Sequence, residues 1–505
     1  MGVWQRIGLL RERNLTLGTF AEKLAAVHGD GPLVEEHDTG LRLTYAEGAA
    51  TVARWAATVA DRIAPGDRVV LSLPNGYSVF LAAQAVARAG GVAVPVNPKM
   101  QPAEIDHVVE DSAAALVVRD ADELEPAPGD EMVEAVACDP DEVAALFYTS
   151  GTTGRPKGAE LTHRALVGRS TIGAAFPSGL RRDEAVSGMP VAHIAGFAVL
   201  VQTASLGVPV YVIPRFRPDV ALDAIEARRA TMFVGVPAMY RMMDEAGAEE
   251  RDLSSIRLWA SGADIMPFPL ARRFQQYGAA AHLPIVGARG EAAFVDGYGM
   301  VELGGGAAVK VLPPGVPLPV RGLVGIPLPG YHLKIVDDAG ADVGRGEVGE
   351  LAVKGPGVMR GYHGRPDATR EALTDDGWLR TGDLARRGRL GFVEFAGRKK
   401  DVIKHGGYSV FAAEVEDVLG EHPDVLESAV VGVPDDRKGE VPAAVVRVRA
   451  GARLSEPELI GWAGERLSEY KVPQRVVFVD DLPRTGTEKV RKQDLVPLFG
   501  DEPAR

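Results

Sequence analysis

Between Tyr148 and Gly158 the chain reads YTSGTTGRPKG. These eleven residues hold three glycines, four aliphatic hydroxyls and two cations, Arg155 and Lys157, directly after the apolar run Val143–Phe147. A strand running into a Gly/Ser/Thr loop gathers backbone N–H groups and hydroxyls around a polyphosphate, and cations beside them neutralise its charge. It is not a Walker A loop. Pro156 stands where the glycine before the lysine belongs, and Gly158 follows where Ser or Thr would. A flexible surface turn is the plainer reading, but it gives no reason for four hydroxyls beside two cations. The other reactive residues are unremarkable singly. Asp383 after Thr-Gly reads as a cap or turn residue, His193 as a core histidine, and Lys399, Lys400 and Lys404 as a solvated charge run. Lys489 sits in a tail with Arg484, Arg491 and Lys492. Only their order along the chain lifts them together.

These residues need a scaffold. Val69–Leu73 reads as a strand, Tyr77–Ala89 as an amphipathic helix and Gly91–Val96 as a strand again, which is βαβ logic and predicts parallel sheets covered by helices. After Gly407 the pattern changes: helix Glu414–Leu419, strands Val425–Val433 and Val441–Val448, then helix Glu456–Tyr470. The polar segment GRKKD, 397–401, divides the two regions. The expected fold is therefore α/β: a large N-terminal domain of helix-covered sheets over 1–397, a hinge at 398–401, and a small mobile α+β C-terminal domain over 402–505.

Composition bounds the function. The 505 residues are 46% apolar and 25% charged, as a packed globular chain should be, and 59 glycines with 35 prolines predict many functional loops. A net charge of −13 without a long basic run argues against nucleic acid as a partner. The single cysteine, Cys138, excludes an internal disulfide and a Cys-based zinc site. The opening MGVWQRIGLLRERNLTL lacks the apolar core and cleavage site of a secretory signal, so a soluble, cytoplasmic location is expected. Val191–Pro214 is apolar enough to suggest a membrane span, but Gln202, Thr203 and Pro209 interrupt it; a buried helix followed by a buried strand is the better reading, with no membrane span.

The loop at 148–158 closely resembles the phosphate loop of the adenylate-forming superfamily, which holds acyl-CoA synthetases, peptide-synthetase adenylation domains and luciferases. Six further segments resemble that family's motifs in the family's order: LTYAE at 43–47, MPVAH at 189–193, DGYGMVE at 296–302, TGD at 381–383, GRKKD at 397–401, and the lysine loop between Pro483 and Lys492. The subtype it most resembles is a fatty-acid–CoA ligase. By that resemblance Ser150, Thr152, Thr153 and Lys157 hold the β- and γ-phosphates of ATP. Tyr298 stacks on adenine, with Gly262 and Ala263 against its other side and Asp296 near the exocyclic amine. Asp383 accepts from the ribose hydroxyls beside Arg398, and Glu302 ligates Mg²⁺. Lys489 bridges the attacking carboxylate and the α-phosphate, with Lys492 in reserve.

The resemblance also implies a reaction. A carboxylate displaces pyrophosphate from ATP to give an acyl-adenylate. The small domain then turns about Lys400 and brings Lys404, Gly406 and Gly407 in to line a tunnel for a pantetheine thiol, with CoA as the commonest acceptor. His193, a catalytic candidate, borders the acyl pocket, whose other wall positions include Gly196, Phe197, Gly235, Val236, Gly297, Val301 and Gly304–Gly306. None is Arg or Lys, which points to a fatty or aromatic monoacid rather than a diacid such as malonate. The Gly304–Gly306 run, lacking side chains, suggests a channel for an alkyl chain. Alternatives are an acyl carrier protein as acceptor, AMP activation of another oxyanion such as nitrite, and a catalytically dead nucleotide-binding module. A homodimer is compatible with all of them. Three positions depart from the family pattern: Val301 where Thr is usual, Glu488 for the glycine before the lysine, and Ala412 for a proline after the hinge, a change expected to matter little.

Overall fold

The computed structural model describes residues 12 and 14–500, apart from 127–132, 150–154, 169–182, 284–286, 316–321, 389–390, 450 and 485–489. Its fold is mixed α/β, with a large N-terminal and a small C-terminal part. Two sheets of the large part are built around parallel strands. Arg68–Leu71 pairs in parallel with Leu116–Val118 on one side and Val92–Pro95 on the other; Val143–Thr149 follows, and Lys157–Thr162 closes the sheet antiparallel. Helix Tyr77–Arg88, expected from its period, is buried along nearly its whole length beside this sheet. The LTYAE segment proves to be a helix start: Thr44 Oγ1 accepts from the Glu47 N–H, and the Glu47 carboxylate accepts from the Thr44 N–H at 2.8 Å. That capping box satisfies donors that the first turn would otherwise leave unpaired.

The second sheet has nine strands, with Pro32–Glu36, Val210–Val212, Ala185–Ser187, Met232–Gly235, Leu258–Gly262 and Ala293–Met300 running parallel through its centre. At Met300 the chain makes a short 3-10 turn over Val301–Leu303 and returns antiparallel as Gly305–Leu312. That reversal is very tight. A Cβ on Gly299 would lie 1.8 Å from the Gly305 carbonyl oxygen, so only glycine fits there. In sheets of this kind ligands gather beyond the carboxyl ends of the parallel strands. Those ends here carry Val236, Gly262 with Ala263, and Tyr298 to Glu302.

A four-stranded antiparallel sheet, His332–Val336, Val348–Lys354, Leu379–Arg387 and Val393–Arg398, follows. Its last strand ends at Arg398. The next strand, Val402–His405, belongs to a different sheet with Tyr408–Phe411, Val425–Asp435, Gly439–Val448 and Arg475–Phe478. Ala412 opens helix Ala412–Leu419. The first helical position leaves its N–H unpaired in any case, so alanine gives up only the preset φ that proline would have supplied. The helix expected over Glu456–Tyr470 ends at Gly464, where two glycines weaken it, and Glu469–Lys471 forms a separate 3-10 turn. The apolar stretch 191–214 is helix Ile194–Leu206 and strand Val210–Val212, separated by Gly207 in the left-handed conformation. Among the described residues no helix is long and apolar enough to cross a membrane.

One buried histidine ties the N-terminal helix Leu17–His28 to the phosphate-loop sheet. His163 Nδ1 accepts from the Leu17 N–H at 3.1 Å, and Nε2 lies 3.4 Å from Cys138 Sγ. Burial pushes its pKa down to about 4. The unfolded chain therefore binds a proton near pH 6.5 that the fold refuses, and stability falls as pH drops from about 6.5 towards 4. His163→Gln, whose carboxamide oxygen accepts the same N–H, should flatten that fall in urea unfolding compared at pH 7.5 and 5. An unchanged pH slope would assign the acid sensitivity elsewhere.

Candidate active site

The hairpin Val143–Thr149 and Lys157–Thr162 pairs Thr149 with Lys157, so it brackets the phosphate-loop residues. Ser150, Thr152 and Thr153 lie outside the described residues. Lys157 is described, and its ammonium lies over the ring of Tyr362, 5.1 Å from the centroid. The Tyr362 hydroxyl donates to Glu302 Oε1 at 2.8 Å. Tyr362 reaches this place because its segment runs antiparallel to the hairpin. The Glu160 N–H donates to the Gly361 carbonyl, the Arg360 N–H to the Glu160 carbonyl, and the His363 N–H to the Gly158 carbonyl. Glu302 itself is only 7% exposed. The result is a row of cation, phenol and carboxylate beside the phosphate loop.

A second cluster forms where the nine-stranded and four-stranded sheets meet. The Tyr298 hydroxyl donates to Asp383 Oδ2 at 2.7 Å, and Arg398 Nε stands 3.4 Å from Oδ1. Asp383 and Arg398 are cross-strand partners, so the two motifs that carry them meet by register. The backbone is held equally firmly. The Asp383 N–H donates to Thr381 Oγ1, whose hydroxyl donates to the Leu351 carbonyl, and the Gly382 N–H donates to Glu350. Burial, then the Asp383 charge, pushes the Tyr298 phenol well above its ordinary pKa, so it stays a donor. Gly262 is the register partner of Gly297, and a Cβ on Gly262 would stand 3.3 Å from the Gly297 carbonyl oxygen. Ala263 follows in the left-handed conformation at φ +69°. The Asp296 carboxylate, expected near adenine, is paired with Lys310 across the strand at 2.8 Å.

At the acyl side, His193 caps helix Ile194–Leu206, its Nδ1 accepting from the Ala195 N–H at 3.2 Å, which leaves the ring proton on Nε2. Gly196 is pressed on Pro190: a Cβ there would lie 2.1 Å from its carbonyl oxygen. Val236 caps helix Pro237–Glu245 and is buried, as is Val301, which packs into the main apolar cluster. Phe197 corrects the sequence reading. Its ring packs edge-on against Phe80 and Phe147, 5.0 and 5.4 Å between centroids, and is core rather than pocket wall. The glycine run is a second correction. A Cβ on Gly305 would stand 3.1 Å from the Ala198 Cβ, and one on Gly304 3.0 Å from the Ala165 carbonyl oxygen. These two glycines let backbones and the helix approach closely, which leaves only Gly306, where a Cβ would meet nothing nearer than Leu328 at 3.7 Å, as a place for open space.

Lys400 lies in the turn Lys399–Asp401, next to Lys399, which pairs with Asp338 at 2.7 Å. Lys404 donates to Ser409 Oγ, and Gly406 and Gly407 form an exposed turn with positive φ. Lys489 and Glu488 lie outside the described residues. Lys492, the reserve candidate, has its ammonium bound to Glu416 at 2.7 Å, with the charges of Asp401 and Asp264 also favouring its protonated form. Sequence reading missed Tyr362 and Lys310. Nothing local marks them, since each is placed by strand pairing. Among the described residues no group of three or more His, Cys, Asp or Glu could hold a metal. One buried carboxylate fits Mg²⁺ that takes most of its ligands from phosphate and water.

Residues 21–363 match the AMP-binding enzyme family, and residues 414–489 match the AMP-binding enzyme C-terminal domain. A feruloyl-CoA synthase from an Amycolatopsis species is 36% identical over 512 residues, covering 97% of this chain and all of the relative. A 2-succinylbenzoate–CoA ligase from Bacillus cytotoxicus is 33% identical over 87% of this chain and 90% of the relative. The crystal structure of ATP-bound MatB from Rhodopseudomonas palustris superposes with a TM-score of 0.84, at 29% identity, over 96% of this chain and 99% of MatB.

Tyr362 generates a direct test. Tyr362→Phe removes the hydroxyl that orients Glu302 while keeping the ring under Lys157. A hydrogen bond to a charged group is worth ~1.5–3 kcal/mol, so ATP–pyrophosphate exchange should fall by about tenfold or more and require more Mg²⁺ for half-maximal rate. Exchange and Mg²⁺ dependence equal to native would remove Tyr362 from the site.

Proposed function

The chain belongs to the AMP-binding enzyme family and is an ATP-dependent, AMP-forming ligase that uses Mg²⁺ and CoA, and on that premise we propose that its acid is a compact aromatic monocarboxylic acid. The observation that carries this choice is the close approach of Ala198 to Gly305, where a Cβ on the glycine would stand 3.1 Å from the Ala198 Cβ, so helix Ile194–Leu206 rests on the returning strand at that point and narrows the way for a long alkyl chain. The relatives support the aromatic character: ferulate is an aromatic monoacid, and 2-succinylbenzoate is aromatic too but carries a second carboxylate, so the single charge rests on the surroundings of the site alone. A diacid is disfavoured by the charges nearby: Lys310 is committed to Asp296 and Arg241 to Glu427.

In this reading Ser150, Thr152, Thr153 and Lys157 hold the β- and γ-phosphates. Tyr298 stacks on adenine, with Gly262 and Ala263 against its other side, and Asp296, fixed by Lys310, borders the base. Asp383, with Arg398 beside it, receives the ribose hydroxyls; its position is pre-set by Tyr298 and Thr381, so binding needs little reorganisation. Glu302 would hold Mg²⁺, which would supply positive charge to the phosphates. The acid carboxylate attacks the α-phosphorus, the bond to pyrophosphate breaks, and Lys489 neutralises the oxygens between them. His193, with its proton on Nε2, faces the acyl pocket together with Gly196, Val236, Val301 and Gly304. The small domain then turns at Lys400 and brings Lys404, Gly406 and Gly407 to line the thiol path, and the thiol displaces AMP. Two acceptors need two closed forms, and a hinge between sheets supplies them. A carrier protein's pantetheine in place of CoA would use the same path.

An acid panel tests the proposal. Pyrophosphate release should be at least about tenfold faster with ferulate or cinnamate than with dodecanoate, because the narrowed way hinders the longer chain. CoA should appear as the thioester by mass spectrometry. Dodecanoate as the best acid would overturn the shape argument, and product formed only with an acyl carrier protein would replace CoA as acceptor.

A further inference from the structure

Helix Pro237–Glu245 of the large domain faces the paired strands Val425–Asp435 and Gly439–Val448 of the small one through four charges. Arg241 and Glu245 stand one turn apart on the helix, and Glu427 and Arg447 are cross-strand partners. Arg241 Nη2 meets Glu427 Oε1 at 2.8 Å, and Arg447 Nη2 meets Glu245 Oε1 at 3.1 Å. Positive thus faces negative twice, with opposite polarity. Arg484, five residues before Lys489 in sequence, adds a second cation to Glu427 at 2.5 Å. Arg241 and Glu427 are each only 8% exposed, and Arg241 Nε, also buried, has no hydrogen-bond partner among the described residues.

We infer that the Arg241–Glu427–Arg484 group, with Glu245–Arg447 beside it, is a latch that holds the small domain in the orientation used for acid activation and sets how the enzyme divides its time between its two half-reactions. The inference rests on the two-step reading above. Ion pairs suit such a latch better than apolar packing. A buried pair gains little net energy over two hydrated ions, so it can open without large cost, yet its geometry admits one register only. Within the orientation described, the segment leading to Lys489 is tied through Arg484 and Glu427 to the helix that begins just after Val236. Opening for the thiol step must separate Arg241 from Glu427. Glu427 keeps Arg484 when it does, so the small domain never carries that carboxylate unpaired.

Arg241→Met tests this without touching the small domain's own Glu427–Arg484 pair. Acid-dependent ATP–pyrophosphate exchange should fall about tenfold, as expected when one arm of a buried pair is lost. Thioester formation from supplied acyl-adenylate and CoA should stay at or above the native rate. Glu245→Gln, at the rim of the same interface, should shift the ratio of the two rates in the same direction by about two- to threefold. Arg241→Lys should restore most of the exchange. A merely structural role lowers both half-reactions together, and that result, or a Glu245→Gln protein with the native ratio, overturns the latch. Absence of exchange in the native enzyme would instead overturn the underlying two-step reading.

Discussion

The Asp383 carboxylate is the point at which three parts of this protein are tied together. Tyr298 reaches it from the nine-stranded sheet, Thr381 fixes its backbone within the four-stranded sheet, and Arg398 approaches it as the last residue before the chain enters the small domain. A carboxylate that is only 7% exposed must be paired, because removing a partner from a buried ion group costs ~3–5 kcal/mol. That demand holds the two sheets at one separation. It also places a phenol and a guanidinium around an acceptor before any nucleotide arrives. The same residue is thus a structural clamp and, in the function proposed, a preformed ribose site.

The acyl side follows from a different constraint, the closeness that glycine permits. Gly299, Gly304 and Gly305 allow a strand to reverse within a few residues and a helix to rest directly on the returning strand. Any side chain at Gly299 would push the strands apart and carry Tyr298 and Glu302 with them. The tight reversal therefore fixes the positions of the phenol and the carboxylate together, and in the function proposed it bounds the acid's site as well.

Much of this was legible in the sequence, for reasons that differ by residue. The strand before YTSGTTGRPKG, the helix Tyr77–Arg88 and the split of the 191–214 stretch all rest on local period and breakers, and local signals suffice for them. The order of motifs brought Tyr298, Asp383 and Arg398 into one group, though only strand register reveals that Asp383 and Arg398 are direct neighbours. Tyr362 was invisible because its place depends on pairing with a strand some two hundred residues earlier. Phe197 was misread because helix Ile194–Leu206 is apolar on nearly every side, so its period does not say which face meets the core. The glycine run was misread because a missing side chain fits open space and close contact equally well.

The central claim is that a carboxylate oxygen of the acid attacks the α-phosphorus of ATP. Oxygen-18 in both carboxylate positions of the preferred aromatic acid follows that atom directly. One labelled oxygen should appear in AMP after a full turnover with CoA, the other should remain in the thioester carbonyl, and pyrophosphate should stay unlabelled. Label in inorganic phosphate with ADP as the nucleotide product, or AMP free of label, would contradict the account.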